Sequence, residues 1–440
     1  MRKTLAIIAC KLARILGKLL GRGSSLPGLI ALKIDPNILS RLKLPKYVIA
    51  VTGSNGKTST VEMIREVLEA AGLSVAYNAE GSNQTEGVTT FMLENADLKG
   101  EIQSDVVLME SDERYARHTF RHFVPTHYVI TNLYRDQLTR NGHPEWIYGI
   151  IGESIHPGSE LILNCDEPLV NSFKGDRMVY YGIDRYGDSK ESNTSVYNDG
   201  AYCPLCKKPL TYEYYHYNHV GRYECRHCGY RRNEPKYRIS EVDLDEGYLV
   251  IDDRYRINLA LKSIYNAYNI LAAYSLAREL DIKAEIIADT LNNYILKNGR
   301  VQQFTVNGKQ GTLLASKHEN SISYDQSMRV VINHKGDVTV FIMVDAISRK
   351  YFTSETSWLW DIDFEMLGSD NIRKIVLTGQ YASDVAERLL YADLDFSRIH
   401  IEKDIEKAIA YLGDEAIGHI YAITCFSDQD KLLSRVEVRQ

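Results

Sequence analysis

Residues 47–68 read YVIAVTGSNGKTSTVEMIREVL, an apolar run that passes through a glycine-rich turn into a segment with helical periodicity. This stretch limits the fold more than any other in the chain. A buried strand that turns sharply into a helix belongs to an α/β architecture in which strands run parallel and helices cover the sheet. In Thr52-Gly53-Ser54-Asn55-Gly56-Lys57-Thr58-Ser59 the glycines let successive backbone N–H groups face one concavity, and the following helix adds its positive end. Such a turn cradles phosphate. Lys57 is expected to reach the β- and γ-phosphates of a nucleotide, and the Thr58 hydroxyl to bind Mg²⁺. The general phosphate-loop pattern would place Gly at position 51, where this chain has Val51, so only its second half is matched.

The alternation continues. Strands are expected at Tyr47–Val51, Asp105–Met109, Tyr128–Thr131 and Glu160–Asn164, with helices at Thr58–Ala71 and Ile264–Leu280, which implies a mostly parallel, doubly wound sheet. Residues 198–235, rich in Tyr, Cys, His, Lys and Arg, interrupt the rhythm and read as an inserted module. From Gly299 a smaller Rossmann-like α/β unit is expected, with strand-like VTVFIMV, RKIVLTG, RIHIE and HIYAITCF between helical SDVAERLLYA and DIEKAIAYL. The expected domains are therefore a lead-in over 1–46, a nucleotide-binding domain over 47–298 and a C-terminal α/β domain over 299–440.

Within the inserted module, Cys203-x-x-Cys206 and Cys225-x-x-Cys228 form two knuckles with 18 residues between them. Four thiolates so spaced can enclose one tetrahedral zinc ion and leave no place for water, which predicts a structural zinc ribbon with four cysteine ligands. His216, His219 and His227 lie close in sequence but are not needed. Seven cysteines in 440 residues are too few for a disulfide scaffold, so a reducing, cytoplasmic setting is expected. A net charge of −6 gives no general attraction to nucleic acid.

The first residues, MRKTLAIIACKLARILGKLL, have a basic start, but Lys11 interrupts the apolar stretch and no small-residue cleavage site follows. Neither a secretory signal nor a spanning helix is expected. On a helix, Lys11, Arg14, Lys18 and Arg22 share one face and Leu5, Ile8, Leu12, Ile15, Leu16 and Leu19 another. Two placements fit that pattern: packing on the chain's own domain, or peripheral contact with an anionic membrane at its inner face.

The form T-G-x-N-G-K-T resembles the central ATPase domain of the Mur ligases, the ATP-dependent amide-forming enzymes of peptidoglycan synthesis. LMESDE carries Glu110 at a strand end, where the resemblance implies a Mg²⁺-binding carboxylate beside Thr58. ITNLYRDQL, with Asn132 and Asp136, resembles the next nucleotide-side motif; YNAYNILAA resembles the helix whose Asn266 approaches adenine; NGRVQQF puts Arg300 at the entry to the C-terminal domain. The resemblance thus implies ATP and Mg²⁺ as cofactors and Gly53, Asn55, Gly56, Lys57, Thr58, Ser59, Asn132, Asn266 and Arg300 on the nucleotide.

A zinc ribbon inside that domain narrows the likeness to the MurT-type subunit family of lipid II isoglutaminyl synthase. GRGSSLPGLIALKIDPNIL, LNCDEPLV, YYGID, TSWLWDIDFE and TGQYASDVAERLLYA look like segments of that family. It implies amidation of the α-carboxyl of D-glutamate in the lipid II stem peptide, with ammonia from a GatD-like class I glutaminase in a heterodimer. Two stretches depart from the family pattern. Lys317-His318-Glu319-Asn320-Ser321 replaces Lys-Asn-Pro and its Gly turn, and Val344-Asp345, a longer loop and Glu355-Thr356-Ser357-Trp358 replace Asn-Asp and Asp-x-Ser-Trp. Glu355 is the position where the resemblance implies an acidic group completing the partner's Cys-His set. Because both departures fall where acceptor and partner belong, a ligase diverged to another carboxylate or amine donor stays open as the alternative.

Overall fold

Strand Tyr47–Thr52 lies between Val106–Glu110 and His127–Ile130, parallel to both, third from one edge of a nine-stranded sheet. A computed structural model of the protein describes residues 1–19, 24–78, 83–137, 141–295, 301–346 and 355–438. From one edge the sheet runs Tyr255–Asn258, Tyr248–Ile251, Tyr237–Asp243, Arg177–Ile183, Glu160–Asn164, His127–Ile130, Tyr47–Thr52, Val106–Glu110 and Val75–Tyr77. The strands from Tyr237–Asp243 to Val75–Tyr77 are parallel, and the other two form an antiparallel edge. Val48, Ile49, Ala50 and Val51 are all buried, as expected for a strand covered on both faces.

Successive strands are added on one side of Tyr47–Thr52 and then on the other, so the chain changes direction there. In open α/β sheets the crevice at such a switch point, beyond the carboxyl ends of the strands, is the ligand position. Helix Lys57–Ala70 follows the central strand and buries Val61, Ile64, Val67 and Leu68. Helix Ile264–Glu279 is buried nearly all round its circumference, which explains why its composition carries almost no polar face. The expected strand Glu160–Asn164 is reproduced, and the other named elements shift by one to three residues at their ends.

The inserted module contributes its own antiparallel pair, Thr211–Tyr217 with Val220–Glu224. Residues Met1–Tyr134, Pro144–Thr194 and Asn198–Leu296 form one compact unit, and Arg135–His143, Ser195–Tyr197 and Lys297–Gln440 a second. The second unit holds a seven-stranded sheet in the order Ile399–Ile401, Ile372–Thr378, Val338–Met343, His419–Cys425, Lys309–Ser316, Val301–Val306 and Glu437–Val438. Its first five strands are parallel and the last two antiparallel.

The N-terminal helix, Arg2–Leu19, takes the first of the two expected placements. It packs on its own unit through Ala6, Ile7, Cys10 and Arg14, while Lys11, Arg14 and Lys18 all bond to Glu94 of helix Thr85–Asn95. Its basic face is therefore turned partly inward and Leu5, Ile8, Leu12, Ile15 and Leu16 outward. Arg22 lies outside the described residues. Among those described, no helix is long and apolar enough to cross a membrane.

Candidate functional site

The turn after Tyr47–Thr52 holds Gly53 at φ +133° and Gly56 at φ +82°, both in the left-handed region. Neither position has room for a side chain. A Cβ on Gly53 would lie 2.2 Å from Thr131 Oγ1, and one on Gly56 would lie 2.1 Å from Asn269 Oδ1. Among the described residues no side chain caps helix Lys57–Ala70, and the start of a helix is a natural position for an anion. Ser59 sits in that first turn, half-buried.

Thr58 Oγ1 donates to Glu110 Oε2 at 2.8 Å, and Asn83 Nδ2 to Glu110 Oε1 at 3.2 Å. A hydroxyl and a carboxylate so close to one another, beside the phosphate turn, are the hard oxygen donors that suit Mg²⁺. Lys57 is less exposed than a surface turn implies. It is buried, donating to the Gly53 carbonyl and paired with Glu113, itself buried. Glu113 stands in the same LMESDE stretch as Glu110, and an acid three residues beyond a strand end was its only signal in the sequence.

Asn132 turns both ends of its amide on the turn itself, accepting from Asn55 N at 2.8 Å and donating to Asn55 O at 3.0 Å. Asn266 is buried and donates to the Leu261 carbonyl at 3.3 Å. One helical turn later, Asn269 stands against Gly56. Its only signal in the sequence is the spacing from Asn266, which puts both on one helix face. Arg300 lies outside the described residues.

The four cysteines of the inserted module converge. Their Sγ atoms all lie within 4.8 Å of one another, with Cys203 to Cys228 at 3.6 Å and Cys206 to Cys225 at 3.5 Å. Tetrahedral zinc with sulfur at about 2.3 Å requires sulfur–sulfur separations of about 3.8 Å, so the cluster fits that ion. Backbone N–H groups of Cys228 and His227 stabilise the Cys225 thiolate and bring its pKa down to about 7.

The module is tied to the sheet by buried bonds. Arg232 Nε donates to Asp166 Oδ1 at 2.5 Å, Tyr223 OH to the Cys165 carbonyl at 2.9 Å and Tyr230 OH to the Pro168 carbonyl at 2.6 Å. His216 is buried with its pKa lowered by desolvation, and His219 Nε2 lies 3.2 Å from Glu167 Oε1, so neither histidine belongs to the cysteine cluster. The hairpin also reaches the phosphate turn. Tyr217 OH bonds to Tyr134 OH, and Tyr134 shares two bonds with Ser54: Oγ to the Tyr134 carbonyl at 3.2 Å and Tyr134 N to Oγ at 2.9 Å.

In the second unit, Glu355 is exposed, just before the short helix Ser357–Asp361, and accepts from Ser357 N at 2.7 Å. That bond lowers the Glu355 pKa. Trp358 is buried against Tyr324. Residues 347–354 of the longer loop lie outside the described part. Asp136 is engaged within this unit, accepting from Lys317 Nζ at 2.5 Å and Asn320 Nδ2 at 2.9 Å. At the carboxyl ends of strands Val338–Met343 and His419–Cys425, Asp345 accepts from Gln380 N at 2.8 Å and pairs with Lys431. The Lys431 ammonium and the Gln380 N–H hold the Asp345 carboxyl below its ordinary pKa against the opposing effect of burial.

Comparison with known proteins adds family-level findings. A profile described as Mur ligase middle domain matches residues 51–226, and one described as MurT ligase C-terminal matches 318–428. The chain is 34% identical over 416 residues to the lipid II isoglutaminyl synthase (glutamine-hydrolyzing) subunit MurT of Staphylococcus aureus, covering 93% of this chain and 92% of that one. With the subunit of the same name from Streptococcus pneumoniae it shares 28% over 453 residues, covering 100% and 99%. Among solved structures, a pseudomurein peptide ligase type C from Methanothermus fervidus superposes with a TM-score of 0.70 at 23% identity, over 91% of this chain and 80% of that one. The MurF ligase of Thermotoga maritima in complex with ADP gives 0.58 at 15%, over 91% and 80%, a likeness of fold.

Proposed function

Since this chain belongs to the MurT family of Mur ligase-fold enzymes, we propose that it is the ATP-dependent synthase subunit that amidates the α-carboxyl of D-glutamate in the lipid II stem peptide. The observation that carries the reading is the glycine turn ahead of helix Lys57–Ala70, with Thr58 and Glu110 bonded 2.8 Å apart at its edge. A carboxylate does not react with ammonia at neutral pH without a better leaving group. One carboxylate oxygen attacks the γ-phosphorus of ATP, ADP leaves, and an acyl phosphate forms. Ammonia then adds to the acyl carbon, inorganic phosphate departs with that oxygen, and the amide remains.

The residues divide these tasks. First-turn N–H groups and Lys57 receive the phosphates, Lys57 exchanging Glu113 for phosphate oxygen, and so offset the repulsion between two polyanions. Thr58 and Glu110 would hold Mg²⁺, which supplies further charge neutralisation on the transferring phosphoryl group. Asn132 and Asn269 act on the nucleotide through the turn they brace; Asn266 and Arg300 are assigned to it directly. The four cysteines hold structural zinc. Ammonia comes from a class I glutaminase partner of the GatD type, and Glu355 orients that partner's catalytic histidine. A lipid-linked acceptor sets the reaction in the cytoplasm, at the inner face of the membrane.

The test is ADP release by the purified chain with lipid II and ammonium salt. ADP formation that needs both, together with an amidated muropeptide, is the expected result. Turnover with a different carboxylate and none with lipid II would favour the diverged ligase, for which the replacement at Lys317–Ser321 is the motivating observation. No acceptor-dependent ADP with any carboxylate would overturn the enzyme reading.

A further inference from the structure

Helix Arg2–Leu19 and the next helix, Leu26–Ile34, leave an apolar surface uncovered. Leu5, Leu12, Ile15 and Leu16 are 56–62% exposed, Leu26 is 61% exposed, and Ile8 and Leu29 are also open to solvent. Exposure of this kind on one face does not serve the packing of the fold, because the opposite face, Ala6, Ile7 and Cys10, is already fully buried. Contiguous apolar surface of this type marks an interaction site.

The charge around it selects the partner. From Met1 to Ile34 the sequence carries Arg2, Lys3, Lys11, Arg14, Lys18, Arg22 and Lys33 and neither Asp nor Glu, in a chain whose net charge is −6. Glu94 compensates Arg14 and Lys18, whereas Arg2 and Lys3 donate to the carbonyls of Ile34 and Lys99, groups without net charge. At 100° per residue, Lys11 and Lys18 border the exposed stripe on one side and Arg2 on the other, the arrangement in which long cationic side chains reach headgroups while leucines enter the acyl boundary. A second copy of this chain would bring the same positive border against itself; an anionic bilayer opposes it with negative charge.

We propose that this face docks the protein on the surface of an anionic membrane. The inference rests on the functional reading above, because a lipid-linked acceptor is presented only there, and it names the surface that brings the enzyme to it. Docking confines the search for substrate to two dimensions.

Flotation of the full chain with vesicles tests it. Vesicles of phosphatidylglycerol and phosphatidylcholine are expected to carry the protein, and vesicles of phosphatidylcholine alone to carry much less, with binding weakened by salt. The triple variant Leu12→Gln/Ile15→Gln/Leu16→Gln should lower binding to the anionic vesicles roughly tenfold or more. Its melting temperature should be unchanged because all three side chains are exposed; if it melts early, the double variant Leu5→Gln/Ile8→Gln is read in its place. Failure of the native chain to float, or equal flotation of a folded variant, overturns the proposal. So does a variant that changes only the oligomeric state, which would assign the face to a second copy. The vesicles contain neither acceptor nor ATP, so a chain that floats but does not amidate strikes the functional reading alone.

Discussion

Lys57 and Glu113 form a buried pair at the base of the phosphate turn, and this changes what a Lys57 variant measures. Lys57→Ala should abolish ATP-dependent amidation, but it also strands a buried carboxylate, at a cost of about 3–5 kcal/mol in stability. The double variant Lys57→Met/Glu113→Gln should recover most of that stability in a denaturant titration and still show no turnover; recovered turnover would contradict the role of Lys57. Gly56→Ala should lose about 1–2 kcal/mol through its left-handed backbone alone, and ATP titration should show weaker binding as Asn269 is pushed away. The turn, Thr58 and Glu110 were legible because their chemistry demands those residue types at those places. Glu113 and Asn269 were not. Each is one polar residue among several in a short stretch, and only the tertiary approach distinguishes them.

At the scale of elements, periodicity and glycine placement were enough to find the central strand, its helix and the buried helix Ile264–Glu279 within a residue or two. The antiparallel edge of the large sheet was not anticipated, because Tyr248–Ile251 and Tyr255–Asn258 are short and carry polar residues, and neither was the hairpin Val301–Val306 with Lys309–Ser316, although its strands lie inside the seven-stranded sheet. The two Cys-x-x-Cys pairs announced a cysteine cluster able to hold a metal, but nothing in their spacing told where its hairpin would lean. Tyr217 leans on Tyr134, which holds Ser54 of the phosphate turn. Cys225→Ser should therefore lower zinc content below one ion per chain, lower the melting temperature, and weaken ATP binding several-fold. Unchanged metal content by elemental analysis would remove the assignment of the four cysteines to zinc; unchanged ATP affinity in a zinc-depleted, folded protein would remove the link to the turn.

For the whole molecule, the α/β class and the family were legible from ordered motifs, whereas the outward apolar face of the first helix was not, since a helical wheel does not say which side meets the domain. On the proposed function, the C-terminal unit would carry the partner-dependent part of the chemistry. Glu355→Ala should stop glutamine-dependent amidation and leave ammonium-dependent amidation largely intact, because the glutaminase histidine loses its acidic neighbour while the ATP site is untouched. Loss of both activities would point to a direct ligase role, and retention of both with the glutaminase bound would take Glu355 out of the partner's catalytic set. Phosphorylation of the acceptor is the central step of the proposed reaction. Lipid II whose D-glutamate α-carboxyl is labelled with heavy oxygen should, on amidation with ATP and ammonia, deliver one labelled oxygen to inorganic phosphate for each amide formed, as seen by mass spectrometry of the phosphate. Amide formation with unlabelled phosphate would contradict it.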